Sequence, residues 1–520
     1  MNIKAIFTKM FAGFTQEKAF VSAQNTRQTS DWIVSPIKTN EELKRSLQLI
    51  VLRARDLAKN NPLVIKYLNM RAENIIGSGF KTQIKIKNDN KTIDFQASEI
   101  VENGWYKWGR ASNKFCTMDG TTGFVDFCKL IDRTLAVDGE CFIQLFKGLK
   151  NNPYKFSLRI IDTLDIDVFY NVSALDNQGN YILMGVERDK YDRPVAYWTR
   201  ENPVNPTYFG GNRIRLDASN VIHLFHKEYA GQVRGISALQ SVMLDLNMLN
   251  GYKEAELYAA RAAACQMAVI EQSAGTTPVK ILSDNKSGKD GQQKAPEAPV
   301  FEMEPGAILN LPMGKTLKQL NPTHPGVNYD GFTKEIKREI ACGLNLFYNS
   351  FAADYVSVTY SSFRAGALTE RAAWIQAQEF IIENVIEVIF TAWLEMFLLS
   401  GNAKSVDGKI VLPFSKIDKY NKPVFKGIRW PNVDPLKEKQ ANILDMNNGL
   451  KSQITIMKES GLEPEHELDN FVEFDKMKEA RKFSTNADKT LEIQAAQYSL
   501  ALPSEADEIE FDEDEDSDED

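Results

Sequence analysis

The chain has 520 residues, 43% of them hydrophobic and 25% charged, which is enough apolar content for a substantial core and enough length for more than one structural unit. Its formal charge of −8 is unevenly placed: Glu505 to Asp520 holds 12 acidic residues and no basic one, so the body sets 62 basic residues against 58 of the 70 acidic ones. A near-neutral body argues against a protein that reads nucleic acid through one basic module, and the scattered Cys116, Cys128, Cys141, Cys265 and Cys342 argue against a disulfide framework and for a reducing cytoplasm.

At the N-terminus, Lys4, Lys9, Glu17 and Lys18 interrupt any apolar signal-peptide core, so secretion is not expected and residues 1–40 read as an extended arm. Leu43 to Ser78 reads as mostly helical, with Leu47, Val51, Ala54 and Leu57 on one face and Asn60-Asn61-Pro62 interrupting it. Gly77 and Gly79 then turn the chain into strand character. Helices are expected from Phe95 to Trp108 and from Thr122 to Val137, the second closed by Asp138-Gly139 as a left-handed cap.

The middle is rich in strands: residues 141–147, 156–162, 181–187, 194–199 and 220–226 have strand length and β-favouring composition, with a hairpin connection from Arg188 to Arg193. They predict an α+β domain with a largely antiparallel sheet. Ser237 to Ala268 reads as one long helix with Ser237 as its N-cap and an alanine-rich second half. A polar excursion from Ser283 to Pro299 follows, then short strands on either side of Pro305-Gly306.

Next come two helical stretches joined by the loop Ser350 to Tyr360. The first carries Phe332, Ile336, Ile340 and Leu344 at four-residue spacing. The second is expected from Ser362 to Leu399, a length of roughly 57 Å. Glu379, Glu383, Glu387 and Glu395 fall near one face of it, opposite Ile381, Val385, Ile389, Phe390, Trp393 and Phe397. That pattern is an amphipathic helix and not a membrane span. The loop is polar, aromatic and β-branched, and it contains neither Lys nor Arg. Residues 410–414 and 425–430 read as strands, a charged helical region begins near Asp434, and the acidic tail reads as disordered.

Signs of catalysis are sparse. His223 and His226, three apart on an expected strand, point to opposite faces and make a poor metal pair. No phosphate-binding loop, nucleophile elbow or zinc-protease motif is present, and Gly77-Ser-Gly79 reads as a turn. Asp162, Asp165 and Asp167 share one connection, where a solvated turn is favoured over a cation site. Lys334, Lys337 and Arg338 are candidates to face a polyanion, against the plainer reading of a solvated helix face. No catalytic, cofactor or metal residue is assigned, and no enzyme activity is expected.

Several ordered strings resemble the lambda family of tailed-phage portal proteins. HKEYAGQVRGISALQ leading into YKEAELYAARAAAC (226–265) is similar to the family's G-Q-x-R-G stretch and long helix. LAKNNPLVIKYLNMRAENIIGSG (57–79), LAVDGECFIQL (135–145), NPTHPGVNYDGFTKEIKREIACGLN (321–345), YVSVTYSSFRAGALTERAAW (355–374) and WPNVDPLKEKQANILDMNNGLKS (430–452) match in the same order. Val358-Thr359, where the family often has Val-Asn, and the long acidic tail depart from it.

The resemblance implies a homo-oligomeric ring, usually dodecameric, at one capsid vertex, through which double-stranded DNA is packaged and ejected without sequence specificity. It implies a portal fold: an arm (1–40), an α/β wing (41–235), a stem helix (236–268), a small β-containing clip (269–328), a second stem helix (329–349), a tunnel loop (350–361), a long helix with wing return strands (362–433), a helical crown (434–495) and the tail (496–520). The implied partners are the terminase large subunit, the head-tail connector, and the major capsid and scaffold proteins, with no membrane. The implied location is the virion after assembly in the host cytoplasm. On this reading Tyr355, Ser357, Thr359 and Tyr360 face the channel, the alternative for the tyrosines being packing on the stem. A non-channel capsid or head-completion protein and a packaging-associated hydrolase are the competing readings.

Overall fold

The computed structural model describes residues 37–88, 90, 93–175, 179–200, 212–265, 269–272, 315–318, 326, 328–356, 358–405, 407–430, 435–460, 462 and 464–481. The chain divides into two units, Met1–Gly427 and Ile428–Asp520. In the first, α1 (Thr39–Asn60) buries Leu43, Leu47, Val51, Ala54 and Ala58, while Leu57 lies at the edge of that stripe. Asn61 ends it and caps α2 (Pro62–Arg71), its Oδ1 accepting from the backbone N–H groups of Leu63 at 2.9 Å and Val64 at 3.3 Å. Pro62 opens the new helix because its missing N–H has no helical partner there. A π-turn, Ala72–Ile76, leads through Gly77 and Gly79, both at positive φ, into β1 (Lys81–Ile84).

Helices α3 (Phe95–Gly109) and α4 (Phe124–Asp138) follow, the latter stopped by Gly139 at φ 87°. The strands β2 (Glu140–Lys147), β3 (Phe156–Ile161), β4 (Tyr181–Leu183), β5 (Val186–Arg188), β6 (Pro194–Arg200), β7 (Arg213–Asp217) and β8 (Val221–Phe225) form a three-stranded sheet, β3-β2-β8, and a four-stranded sheet, β4-β5-β6-β7. Every pairing in both is antiparallel. The expected strand 181–187 is in fact a hairpin. Met184 and Gly185 both take positive φ, a two-residue turn that sets Leu183 opposite Val186. Strand β7 was not foreseen, because Arg-Ile-Arg-Leu-Asp is a short, charged edge strand with little apolar signal.

The expected helix from Ser237 starts six residues late. Ser237 is buried, and its Oγ accepts from Leu239 N–H at 3.2 Å while its carbonyl accepts from Gln240 N–H. It therefore opens a turn that leads into a short 3₁₀ helix (Gln240–Val242) with Leu239 at its N-cap, and α5 (Met243–Cys265) begins after it. Beyond it, β9 (Val269–Gln272) pairs antiparallel with β10 (Lys315–Lys318), a ribbon within the β-containing span 269–328 whose individual strands were not foreseen. The polar excursion and the strands around Pro305-Gly306 lie outside the described residues.

After α6 (Tyr329–Gly343) and the short α7 (Tyr348–Ala352), the predicted long helix is divided: α8 (Tyr360–Ile381), a π-turn (Ile382–Ile386) and α9 (Glu387–Leu399). Glu379, Glu383 and Glu387 are exposed, and Glu395 pairs with Lys147 at 2.9 Å. The opposite face of α9 enters an aromatic core. Trp393, Phe390 and Phe397 pack with Trp105 and Trp108 of α3, with Trp105–Trp393 centroids 5.1 Å apart and Trp393–Phe397 at 4.7 Å. No described helix is long and apolar enough to cross a membrane. After α10 (Ile417–Tyr420), β11 (Pro423–Lys426) returns to pair with β1. The expected strand at 410–414 supplies only one bridge, Lys404 to Val411.

In the second unit, α11 (Pro435–Asn447), α12 (Gln453–Glu459) and α13 (Pro464–Ala480) form the expected charged helical region, Ser452 capping α12 through Thr455 N–H at 3.1 Å. Because Trp393 is fully buried among aromatic rings, Trp393→Ala is expected to destabilise the first unit by about 3–5 kcal/mol in denaturant melts followed by tryptophan fluorescence.

Candidate nucleic-acid interface

The loop between α6 and α8 is built on internal hydrogen bonds. Ala353, at φ 54°, ends α7. Asp354 is then held twice: its carboxylate accepts from the Tyr348 hydroxyl at 3.0 Å, and its carbonyl accepts from Asn349 Nδ2 at 2.7 Å. Ser350 Oγ lies 2.9 Å from Glu370 Oε2, tying α7 to α8. At the far end Thr359 caps α8, its Oγ1 accepting from Ser362 N–H at 3.3 Å. Between these anchors the chain protrudes: Tyr355, Val356 and Tyr360 are 55%, 96% and 52% exposed. Tyr355 is also edge-on to Phe363 of α8, with centroids 6.2 Å apart, so it both leans on the helix and faces outward. Ser357 lies outside the described residues.

The three candidate cations are not equivalent. Lys334 pairs with Asp330 at 3.0 Å and approaches Asp354 at 3.8 Å, and the Asp330 carboxylate raises its pKa. Arg338 pairs with Glu335 at 2.9 Å and lies over the Tyr348 ring, 5.3 Å from its centroid. Lys337 faces Lys253 of α5, whose ammonium is made less basic by burial and by this like charge. Lys334 and Arg338 border a cleft of about 460 Å³ floored by Ala341, Leu346 and Phe347. The four-residue stripe of α6 is graded: Phe332 is exposed and edge-on to Tyr252, whereas Ile340 and Leu344 are buried.

The three- and four-stranded sheets centre on two fully buried charges. Arg234 Nη2 lies 2.7 Å from Glu140 Oε1, and its Nε donates to the same carboxylate at 2.8 and 3.0 Å. The remaining guanidinium donors reach the carbonyls of Met184 at 2.7 Å and of Ile166 and Thr163 at 3.3 Å. His223 Nε2 and the Gly235 N–H complete the shell around Glu140, at 2.9 and 3.0 Å. Two glycines allow this approach, since a methyl on Gly235 would fall on the Gly139 carbonyl and one on Gly139 would fall on the Ile236 backbone. Burial pushes the Glu140 carboxyl up, but Arg234 and His223 outweigh it and hold it at about 2. Burial keeps His223 below its usual pKa, because Arg234 already neutralises Glu140 and a third charge there has no partner.

Thus His223 is a hydrogen-bond partner in the core, and His226 stacks on Phe380 with centroids 4.1 Å apart. The acidic run is a 3₁₀ turn, Thr163–Asp165, with Asp162 exposed, and two of its carboxylates also meet arginines: Asp162 joins Asp138 on Arg55, at 2.7 and 2.6 Å, and the buried Asp167 meets Arg213 at 2.9 Å. Among the described residues, no group of His, Cys, Asp and Glu is arranged to hold a metal. The sequence reading missed the Glu140–Arg234 pair, whose members stand 94 positions apart. Both residues sat in family-like strings, yet nothing local signals that those strings meet.

The family described as phage portal protein, lambda family, matches residues 25–378. The probable portal protein of Halomonas phage phiHAP-1 is 27% identical over 462 residues, 87% of this chain and 85% of the relative. Portal protein B of Escherichia phage lambda is 23% identical over 369 residues, 66% of this chain and 67% of the relative. A chain from the neck of an empty GTA particle computed with C6 symmetry aligns over 81% of this chain and 94% of its own, at 12% identity and a TM-score of 0.43.

Arg234→Met strands a buried carboxylate and is expected to cost about 3–5 kcal/mol, while Arg234→Met combined with Glu140→Gln restores part of that loss, measured by chemical denaturation. The acid limb has a defined sign. With its folded pKa depressed, Glu140 contributes stability above about pH 4.5 that disappears as pH falls toward about 2. Glu140→Gln should flatten that part of the stability–pH curve.

Proposed function

The chain belongs to the lambda family of phage portal proteins, and we propose that it forms the ring-shaped channel at one capsid vertex through which double-stranded DNA is packaged and ejected. The observation that carries this reading is the protruding segment between α6 and α8, exposed at Tyr355, Val356 and Tyr360 and free of Lys and Arg. A conduit must let DNA slide, and each phosphate neutralised by a cation adds affinity through counterion release. A polar and aromatic tongue avoids that grip, and the pairing of Lys334 and Arg338 with acidic neighbours has the same effect.

In this reading α5 and α6 are the stem helices, residues 41–235 with the return strands are the wing, residues 269–328 the clip, and α11 to α13 the crown. Tyr355, Ser357, Thr359 and Tyr360 form the tunnel loop facing the DNA. Ring closure supplies the cover that α5 lacks, since Leu244, Met248, Leu257 and Tyr258 stand more than half exposed on it. The ring is dodecameric and carries no chemistry of its own. Its partners are double-stranded DNA, the terminase large subunit, the head-tail connector, and the capsid and scaffold proteins. It assembles in the host cytoplasm and resides in the virion.

Negative-stain microscopy of the purified full chain is expected to show rings with a central hole, and a population of monomers at every concentration would overturn the proposal. The pure protein should hydrolyse no ATP. Tyr355→Ala with Tyr360→Ala is expected to leave ring yield unchanged while lowering the amount of DNA packaged into heads.

A further inference from the structure

At the joint between α7 and α8 two acceptors crowd one hydroxyl. Ser350 Oγ lies 2.9 Å from Glu370 Oε2 and 2.9 Å from the Phe347 carbonyl. A serine hydroxyl has a single proton, a carbonyl has none, and an ionised carboxylate only accepts. One hydroxyl proton shared between two acceptors serves each of them weakly, and a proton on the carboxyl would give each O···O contact its own. Glu370 Oε1 is buried and makes no hydrogen bond of good geometry among the described residues, a costly position for a full anion and a cheaper one for a neutral acid, while the Phe347 backbone N–H near the carboxyl favours the anion.

We propose that Glu370 is a positioning residue that holds the base of the exposed loop through a proton relay, Glu370 Oε2–H to Ser350 Oγ and Ser350 Oγ–H to the Phe347 carbonyl. The relay fixes the N-terminus of α7, from which Tyr348 and Asn349 hold Asp354 and hence the start of the protruding segment. Gly366 sits one helical turn before Glu370 against the Phe347 ring, where a methyl would collide, so the two helices meet closely at this joint. Loss of the proton leaves one hydroxyl to serve two acceptors, and the joint loosens.

The ionisable surroundings set the direction. Burial pushes the Glu370 carboxyl up, and it outweighs the Ser350 and Phe347 hydrogen bonds, Lys66 on α2 and Arg371 on α8, all of which favour the ionised form. The short α7 contributes only Tyr348, whose hydroxyl is occupied by Asp354. A carboxyl whose pKa is raised in the closed joint stabilises it fully below the ordinary carboxyl pKa, and that contribution is lost as pH rises through the raised value. The relay goes beyond the channel reading and does not depend on what passes the loop.

Hydrogen–deuterium exchange of the full chain between about pH 5 and pH 8, expressed as protection relative to unstructured peptide at each pH, tests it. In the unmodified chain, opening of residues 347–356 should grow by up to about tenfold per pH unit across the titration. Glu370→Gln should stay closed with a flat profile, because its amide N–H can donate to Ser350 without titrating. Ser350→Ala should be open at every pH. A Glu370→Gln profile that follows the unmodified chain overturns the relay. Should Glu370→Gln fail to fold, seen as lost protection in α9, the serine variant decides alone: a Ser350→Ala profile retaining the original pH slope overturns the relay, and a flat, open one supports it.

Discussion

The buried pair Glu140–Arg234 is the interaction on which the first unit depends. Removing two charges from water costs on the order of several kcal/mol per ion, so the pair survives only because nearly every donor and acceptor around it is used. Arg234 spends its remaining N–H groups on the carbonyls of Thr163, Ile166 and Met184, which belong to the connection after β3 and the turn between β4 and β5. One guanidinium thereby joins the three-stranded sheet to the four-stranded one. It also fixes the segment that leads into α5, because Gly235 and Gly139 can touch only with backbone against backbone.

The loop is supported from two sides. One is α5 with the 3₁₀ turn before it: α5 meets α6 through Tyr252, Tyr329 and Phe332, and Gly343 packs on Val242 of the turn. The other is the arm made of α8, the π-turn and α9. Through Trp393 its far end is buried against Trp105 and Trp108, and its middle is tied to the first π-turn by Gln378, whose Nε2 donates to the Asn74 carbonyl at 2.8 Å. The loop is thus an exposed span between two braced supports.

Local patterns were legible where a residue's role is set by its near neighbours. Asn61-Pro62 as a helix boundary, Gly139 as a left-handed cap and the glutamate face opposite Trp393 all follow from backbone geometry or helical periodicity. Errors arose where a distant contact decided. Ser237 has the chemistry of a helix N-cap, but it is buried against the end of α4, where its hydroxyl meets the Ala136 carbonyl. The run Tyr-Ile-Leu-Met-Gly-Val-Glu has the composition of one strand, but Gly185 packs against Asp167 and the chain reverses there.

By itself the sequence determined the α+β class, most element positions, the cation-free composition of the loop and, through ordered strings, the family. These properties are carried by short-range periodicity, by turn chemistry and by residue identity, all of which can be read one segment at a time. Only the tertiary structure decided that Glu140 and Arg234 meet, that Asp162 and Asp167 belong to arginines on other elements, and that Ser350, Glu370 and Phe347 come together at one joint. Each of these is a meeting of side chains far apart in sequence. Partners of that kind are selected by packing and by the cost of leaving a buried charge alone, and neither is written in a local pattern.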